Sequence, residues 1–131
     1  MLYRPVRIVH CDDSQSFLLL TRDWLEDHRD LEIVHSALGA DEALSAVRAL
    51  HPDVVVTDTF GSPSDAAILA ALREAAPGAR LVIFTGFRES HLHPAVRQLA
   101  DAVVTKSHHE LSLVETIRAL VADKEPGSNR R

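Results

Sequence analysis

Several features are scarce in this sequence, and each shortage excludes a class of protein. Cys11 is the single cysteine, so no disulfide can form within the chain. No apolar run approaches the ~20 residues of a membrane-spanning helix, and the first residues do not resemble a cationic, apolar leader. The 14 basic residues are outnumbered by 19 acidic ones, and a net charge of -5 gives no general attraction for nucleic acid. We therefore expect a cytoplasmic protein with no membrane contact and no direct nucleic-acid binding.

The residues that are present suffice for one globular domain. The chain has 131 residues, of which 46% are apolar and 25% charged, a balance that permits a hydrophobic core without metal or disulfide staples. Cys11 closes an apolar run, and we expect it to be a small core residue. The residues after Asp123 turn polar, so we expect a domain over 1–123 and a tail or the start of a linker over 124–131.

Five short apolar runs alternate with segments of helical period. The predicted strands are 6–10, 31–37, 54–56, 81–84 and 102–104. The predicted helices are 14–28 with Ser14 as its cap, 41–50, 64–75, 91–99 with Pro94 in its first turn, and 110–122. This alternation predicts an α/β fold with one doubly wound, five-stranded parallel sheet and helices on both faces.

Residues suited to one kind of chemistry follow these strands. Asp12 and Asp13 end the first, Asp58 the third, Thr85 the fourth and Lys106 the fifth. Because the carboxyl ends of parallel strands share one edge of a sheet, we expect these side chains to converge there. Three carboxylates repel one another unless a cation is present, and their oxygen atoms suit Mg²⁺ or Mn²⁺. The alternative is that these acids have only a structural role, as a helix cap and a solvated charge.

Lys106 and Thr85 favour a functional site over a helix cap. An ammonium and a hydroxyl at this edge can neutralise and hydrogen-bond a phosphoryl group, and an aspartate can accept one as an acyl phosphate. The sequence has no glycine-rich loop of the nucleotide-binding type. The phosphoryl donor is therefore not obviously a nucleotide bound by this chain.

The segments VRIVHCDDS, PDVVVTD, LVIFTG and DAVVTK, in this order, resemble the receiver domains of two-component response regulators. The resemblance runs from residue 6 to residue 122. It is closest to receivers that precede a helix-turn-helix output domain of the NarL/FixJ type, where the strand-five lysine is often not followed by proline, as Ser107 follows Lys106 here. It implies the flavodoxin-like strand order 2-1-3-4-5 and a receiver domain over 1–123, which is either a stand-alone regulator or the receiver part of a longer protein with a DNA-binding output domain.

The resemblance also implies roles for the acidic residues. Asp58 would accept a phosphoryl group from a phosphohistidine on a sensor histidine kinase. Asp12, Asp13 and Asp58 would hold Mg²⁺ or Mn²⁺, together with the backbone carbonyl of Phe60. No turnover is implied beyond self-phosphorylation and slow autodephosphorylation, so the protein would be a switch and not an enzyme.

The same resemblance implies how the phosphoryl group is recognised. Thr85 would move its hydroxyl onto the group, Lys106 would pair with it, and the backbone N–H groups of Thr59 and Gly86 would donate hydrogen bonds. The fourth helix, fifth strand and fifth helix would form the output face, where phosphorylation promotes homodimer formation or partner binding in transcriptional regulation.

Two positions depart from the family pattern. Val103 stands where receivers often carry an aromatic switch residue, and the loop after Asp58 has Pro63 one place late. Phe60 and Phe87 would flank the approach of hydrolytic water, which predicts a long-lived phosphoryl group. The alternative is that both rings are loop anchors without kinetic effect.

Three alternatives to this function are an interaction module, an enzyme and a transition-metal site. A receiver-like module that is never phosphorylated would not need the acids, Thr85 and Lys106. A phosphatase or mutase of the haloacid dehalogenase kind needs an acid where this chain has Phe60. A transition-metal site built from the paired histidines of the C-terminal half is disfavoured by their spacing. Those histidines are His91, His93, His108 and His109.

Overall fold

A computed structural model describes residues 4–60, 66–107 and 110–122 of the chain. Its strands are β1 (Val6–Cys11), β2 (Leu31–Ala37), β3 (Val54–Thr57), β4 (Arg80–Thr85) and β5 (Ala102–Thr105). All neighbouring strands are parallel, and their order is β2-β1-β3-β4-β5. The predicted fold class and strand order are confirmed.

Four strands extend beyond their predicted ends because backbone pairing continues past the apolar side chains. Cys11 pairs with Thr57, and Thr85 pairs with Thr105, so each of these residues still belongs to the sheet. The sequence prediction ended the third, fourth and fifth runs at their last large apolar residue and the first run at His10. Thr85 consequently ends its strand, Asp12, Asp58 and Lys106 lie one residue beyond theirs, and Asp13 lies two residues beyond β1.

The helices are α1 (Gln15–Glu26), α2 (Ala40–Leu50), α3 (Ala67–Ala75), α4 (Pro94–Leu99) and α5 (Glu110–Ala122). The Ser14 hydroxyl caps α1 by accepting a hydrogen bond from Phe17 N at 3.2 Å. α2 ends at Leu50 and is capped by His51, whose φ of 49° is left-handed and which Pro52 follows.

Three predicted helix bounds are wrong by two residues or more. α3 begins at Ala67, after its N-cap Ala66, three residues later than predicted. α1 ends at Glu26, two residues short of 28, with Asp27 as its C-cap. α4 begins at Pro94 and not at 91, because a separate turn of 3₁₀ helix covers Glu89–His91 before the chain becomes extended. The ring of His93 then caps α4 by accepting a hydrogen bond from Ala95 N, and Pro94 occupies the first turn as expected.

Both faces of the sheet are covered, as predicted, because alternate strand residues point to opposite sides. One face packs against α1 and α5 through Ile8, Val54, Val56, Val82, Phe84 and Val104. The other packs against α2, α3 and α4 through Val9, Cys11, Val55, Leu81 and Ile83. Cys11 is fully buried, and burial raises the pKa of its thiol to about 12, so it is the inert core residue the sequence predicts.

Some predicted features lie outside the described residues. They are the turn at 61–65 with Pro63, the predicted start of α3 at residue 64, His108, His109, the domain end at 123 and the tail at 124–131. No helix in the described part of the chain is long and apolar enough to cross a membrane.

Candidate functional site

The sheet brings the predicted acids together. Cys11 and Thr57 are paired on neighbouring strands, so Asp12 and Asp58 leave the sheet side by side, and Asp58 N donates a hydrogen bond to Cys11 O at 2.9 Å. Asp13 follows in the loop that leads into α1. Each of the three acids offers a carboxylate oxygen, and these three oxygens lie within 4.8 Å of one another.

The three acids differ in exposure, which suits a cation approaching from solvent. Asp12 is fully buried and Asp58 is only 7% exposed, whereas Asp13 is exposed. Hard divalent cations such as Mg²⁺ prefer carboxylate oxygens and keep several water ligands. Two buried carboxylates and one exposed carboxylate fit such an ion, because the open side leaves room for water and for a phosphoryl oxygen.

Lys106 lies between the two buried acids. Its Nζ is 2.7 Å from Asp12 Oδ2 and 3.3 Å from Asp58 Oδ1. One ammonium among three carboxylates leaves the group negative, so the lysine and a divalent cation can both be accommodated. Backbone bonding fixes the lysine in the fold, since Lys106 N donates to Thr85 O at 2.7 Å.

Backbone N–H groups orient the carboxylates. Ser14 N donates to Asp12 Oδ1 at 2.9 Å, and Phe60 N donates to Asp58 Oδ2 at 3.1 Å. Each buried acid therefore has one oxygen on the backbone and the other towards Lys106. The second bond requires a sharp turn, and Phe60 adopts a left-handed φ of 54°, a conformation that costs a residue with a side chain about 1–2 kcal/mol.

Thr85 is held by two hydrogen bonds. Its Oγ1 accepts from Phe87 N at 3.2 Å and lies 3.3 Å from Thr59 Oγ1, where either hydroxyl can donate. Both threonines are buried, and Gly86 between Thr85 and Phe87 is exposed. The phosphoryl-binding roles of the Thr59 and Gly86 N–H groups, and the metal-binding role of the Phe60 carbonyl, stay predictions.

Sequence reasoning missed the contact between Lys106 and an aromatic ring. Nζ lies 4.4 Å from the centroid of Phe17, close enough for a cation–π interaction. The ring of Phe17 in turn packs against Phe84 and edge-on against Trp24. The helical period assigned Phe17 to the core of the protein, and no local signal linked it to a lysine on another element.

His10 was also overlooked, because it lies within an apolar strand. Its ring is 1% exposed, it packs against Phe17 and Phe84, and neither ring nitrogen has a hydrogen-bond partner among the described residues. Burial, reinforced by the charges of Lys106 and Arg22, lowers the pKa of His10 to about 3. The residue is therefore neutral at physiological pH.

The remaining predicted residues have simple surroundings. Val103 lies on β5, half-buried against the core formed with α2, α3 and α4, and the rings of Phe60 and Phe87 also pack there. His91 is exposed and His93 caps α4. Within the described ranges, the group of residues suited to a metal contains acids alone.

Comparison with solved structures identifies proteins that share this fold. A LuxR-family two-component response regulator from Aurantimonas sp. SI85-9A1 superposes with a TM-score of 0.81 at 29% identity, covering 95% of this chain and 91% of that one. The isolated REC domain of RcsB from Salmonella enterica serovar Typhimurium gives a TM-score of 0.79 at 19% identity, covering 95% and 96%, and supports the fold alone. The chain has the receiver-domain fold of these response regulators.

A curated relative matches the chain over a shorter span. It is a protein-glutamate methylesterase/protein-glutamine glutaminase from Maricaulis maris (strain MCS10), 32% identical over 78 residues, which is 59% of this chain. The aligned region covers 20% of that protein, so this chain spans only a small part of its length. No family model matches the sequence.

Proposed function

We propose that this receiver domain is a phosphorylation-controlled switch that accepts a phosphoryl group on Asp58 from a sensor histidine kinase. The observation that carries the proposal is the setting of the Asp58 carboxylate. One oxygen is held by Phe60 N, the other faces Lys106 Nζ, and the carboxylates of Asp12 and Asp13 lie within cation-binding distance. A nucleophile, a positive charge and a candidate cation site thus occur together.

The carboxylate of Asp58 is the nucleophile in the proposed transfer. An Asp58 oxygen forms a bond to phosphorus while the phosphorus–nitrogen bond of the phosphohistidine breaks, and that electron pair returns to the imidazole. Mg²⁺ or Mn²⁺, when held by Asp12, Asp13 and Asp58, supplies neutralising charge for the phosphoryl oxygens. Lys106 Nζ, already 3.3 Å from Asp58, remains beside the product as a fixed positive charge.

The proposed output of the switch involves the part of the domain next to Thr85. A phosphoryl group on Asp58 at the end of β3 adds negative charge near Thr85 at the end of β4, β5 is the edge strand next to β4, and α5 contacts both β4 and β5. We propose that this face changes on phosphorylation and forms a homodimer or binds a partner. We further propose that residues 1–123 form the receiver of a cytoplasmic transcriptional regulator with a DNA-binding output domain.

Intact-mass spectrometry tests the proposal. The protein is incubated with acetyl phosphate and Mg²⁺, and one added phosphoryl group is expected in the wild type and none in Asp58→Ala. Asp23→Ala, which removes an exposed acid from α1, is the matched control and should be labelled like the wild type. Chelation of the metal should abolish labelling in every variant.

Other outcomes would replace the proposal. A protein that gains no phosphoryl group from acetyl phosphate or any phosphohistidine donor would be a constitutive interaction module. Rapid hydrolysis of a small phosphate ester would make it a phosphatase. Labelling that persists in Asp58→Ala would move the acceptor to another residue and contradict the assignment.

A further inference from the structure

The side chain of Thr59 has a contact that the proposed function does not use. Its backbone N–H is a predicted phosphoryl ligand, but its hydroxyl points to the hydroxyl of Thr85, with the two oxygens 3.3 Å apart. Thr59 is 4% exposed and Thr85 is fully buried. Water therefore has little access to either group, and the two hydroxyls share one hydrogen bond in which either can donate.

This contact determines where the Thr85 hydroxyl rests. Within the part of the chain that the structure describes, Thr85 Oγ1 makes hydrogen bonds to Thr59 Oγ1 and Phe87 N. A hydroxyl has one donor and two acceptor positions, so these two bonds use much of its capacity. Contact with a phosphoryl group on Asp58 requires the Thr85 hydroxyl to give up at least part of this arrangement.

We propose that Thr59 is a positioning residue whose hydroxyl holds Thr85 in the unphosphorylated state and so sets the threshold of the switch. The inference rests on the proposed function, since it concerns the same acceptor. When Thr85 turns to the phosphoryl group, the Thr59 hydroxyl loses its partner in a buried place. Leaving that hydroxyl unpaired opposes the activated state.

Replacement of Thr59 by valine separates the hydroxyl from the rest of the residue. Thr59→Val keeps the β-branched shape and the backbone N–H and removes only the hydrogen bond to Thr85. The resting state loses a bond and the activated state no longer strands a buried hydroxyl, so both effects favour activation. The expected gain in affinity for a phosphoryl mimic is about 2- to 12-fold, the range of one neutral hydrogen bond.

The test is a titration with beryllofluoride and Mg²⁺, followed by the fluorescence of Trp24, the single tryptophan. Trp24 packs edge-on against Phe17, whose ring contacts Lys106, so one aromatic ring connects the fluorophore to the site. We expect Thr59→Val to bind the mimic more tightly than the wild type. Thr59→Ser retains a hydroxyl and should restore the wild-type affinity.

Two measurements distinguish positioning from a general structural effect. Thr21→Val changes another buried threonine, on α1, whose hydroxyl has no partner among the described residues, and should leave the affinity unchanged. The amide resonance of Phe87 reports its bond to Thr85 Oγ1. In Thr59→Val without the mimic, that resonance should move towards its position in the mimic-bound wild type.

The failure of this inference differs from that of the proposed function. If the wild type binds the mimic and Thr59→Val binds it equally or more weakly, the Thr59 hydroxyl does not hold the resting state and the inference is overturned. If Thr59→Ser behaves like Thr59→Val, the hydrogen bond is not the cause, and the inference is again overturned. If the wild type does not bind the mimic at all, the phosphoryl-acceptor function is refuted, and the inference with it.

Discussion

The buried His10 ring gives a stability prediction that follows directly from its surroundings. In the unfolded chain His10 has the ordinary pKa of 6.5, whereas in the folded protein burial, helped by the charges of Lys106 and Arg22, lowers its pKa to about 3. Between about pH 3 and pH 6.5, the unfolded chain therefore binds a proton at His10 that the folded protein does not bind. Stability contributed by the neutral ring is fully present above pH 6.5 and is lost as the pH falls towards 3.

The size of the effect follows from the proton balance. Each pH unit below the unfolded pKa costs about 1.4 kcal/mol while the folded ring stays neutral, so the loss is ~2 kcal/mol at about pH 5. His10→Leu removes the titrating group and keeps a buried side chain of similar volume. It also removes ring nitrogens that have no hydrogen-bond partner among the described residues, so neutral-pH stability should change by no more than about 1 kcal/mol.

Urea denaturation in chelator at neutral pH and at about pH 5 measures the difference. The free energy of unfolding of the wild type, relative to His10→Leu, should fall by about 2 kcal/mol between the two conditions. His91→Gln, at an exposed position, controls for the loss of a histidine as such. An identical pH dependence in wild type and His10→Leu would refute the reasoning. A large loss of stability in His10→Leu at neutral pH would show that the ring nitrogens have partners.

Three further predictions concern the site and its support. Lys106→Met should lower the free energy of unfolding in chelator by about 3 kcal/mol, because it leaves the buried Asp12 carboxylate without its cation. Mg²⁺ should restore more stability to this variant than it adds to the wild type, and equal costs in both conditions would contradict the account. Phe60→Ala and Phe87→Ala should each speed the loss of label from the phosphorylated protein if the rings exclude water, and slower loss would end that idea. Burial alone would raise the pKa of Asp101, but hydrogen bonds from the Arg73 guanidinium and from Leu81 N hold this pKa below its ordinary value of 3.8. The wild type should therefore lose stability as the pH falls below 3.8. Urea titrations at several acidic pH values should show a flatter pH dependence of stability for Asp101→Asn.

The convergence of the site could be predicted because it depends on topology. Once 54–56 and 102–104 are recognised as parallel strands, Asp58 and Lys106 must lie at one edge of the sheet, and the observed distance of 3.3 Å agrees. The strand-end residues needed no knowledge of side-chain packing. Errors of one residue in the strand bounds did not matter, since the chain reaches the same edge.

Contacts that depend on how helices and loops pack could not be predicted in this way. Phe17 and Lys106 meet because the lysine side chain reaches from the end of β5 to Asp12, close to the start of α1, and nothing in the local sequence of either residue indicates it. The bond between Thr59 and Thr85 joins residues 26 apart and requires both side chains to choose inward orientations. The left-handed Phe60 is equally hidden, since an aromatic residue is not expected at positive φ.

The strand order divides the site into two halves that meet between β3 and β4. The acids follow β1 and β3, whereas Thr85 and Lys106 belong to β4 and β5 and are joined by the bond from Lys106 N to Thr85 O. In the proposed function, accepting the phosphoryl group and responding to it therefore belong to different stretches of the polypeptide. A chimera that takes residues from β4 onwards from another receiver would keep the three acids of this chain and acquire a foreign response. Evolution could rewire the output of this protein in the same way without disturbing its input.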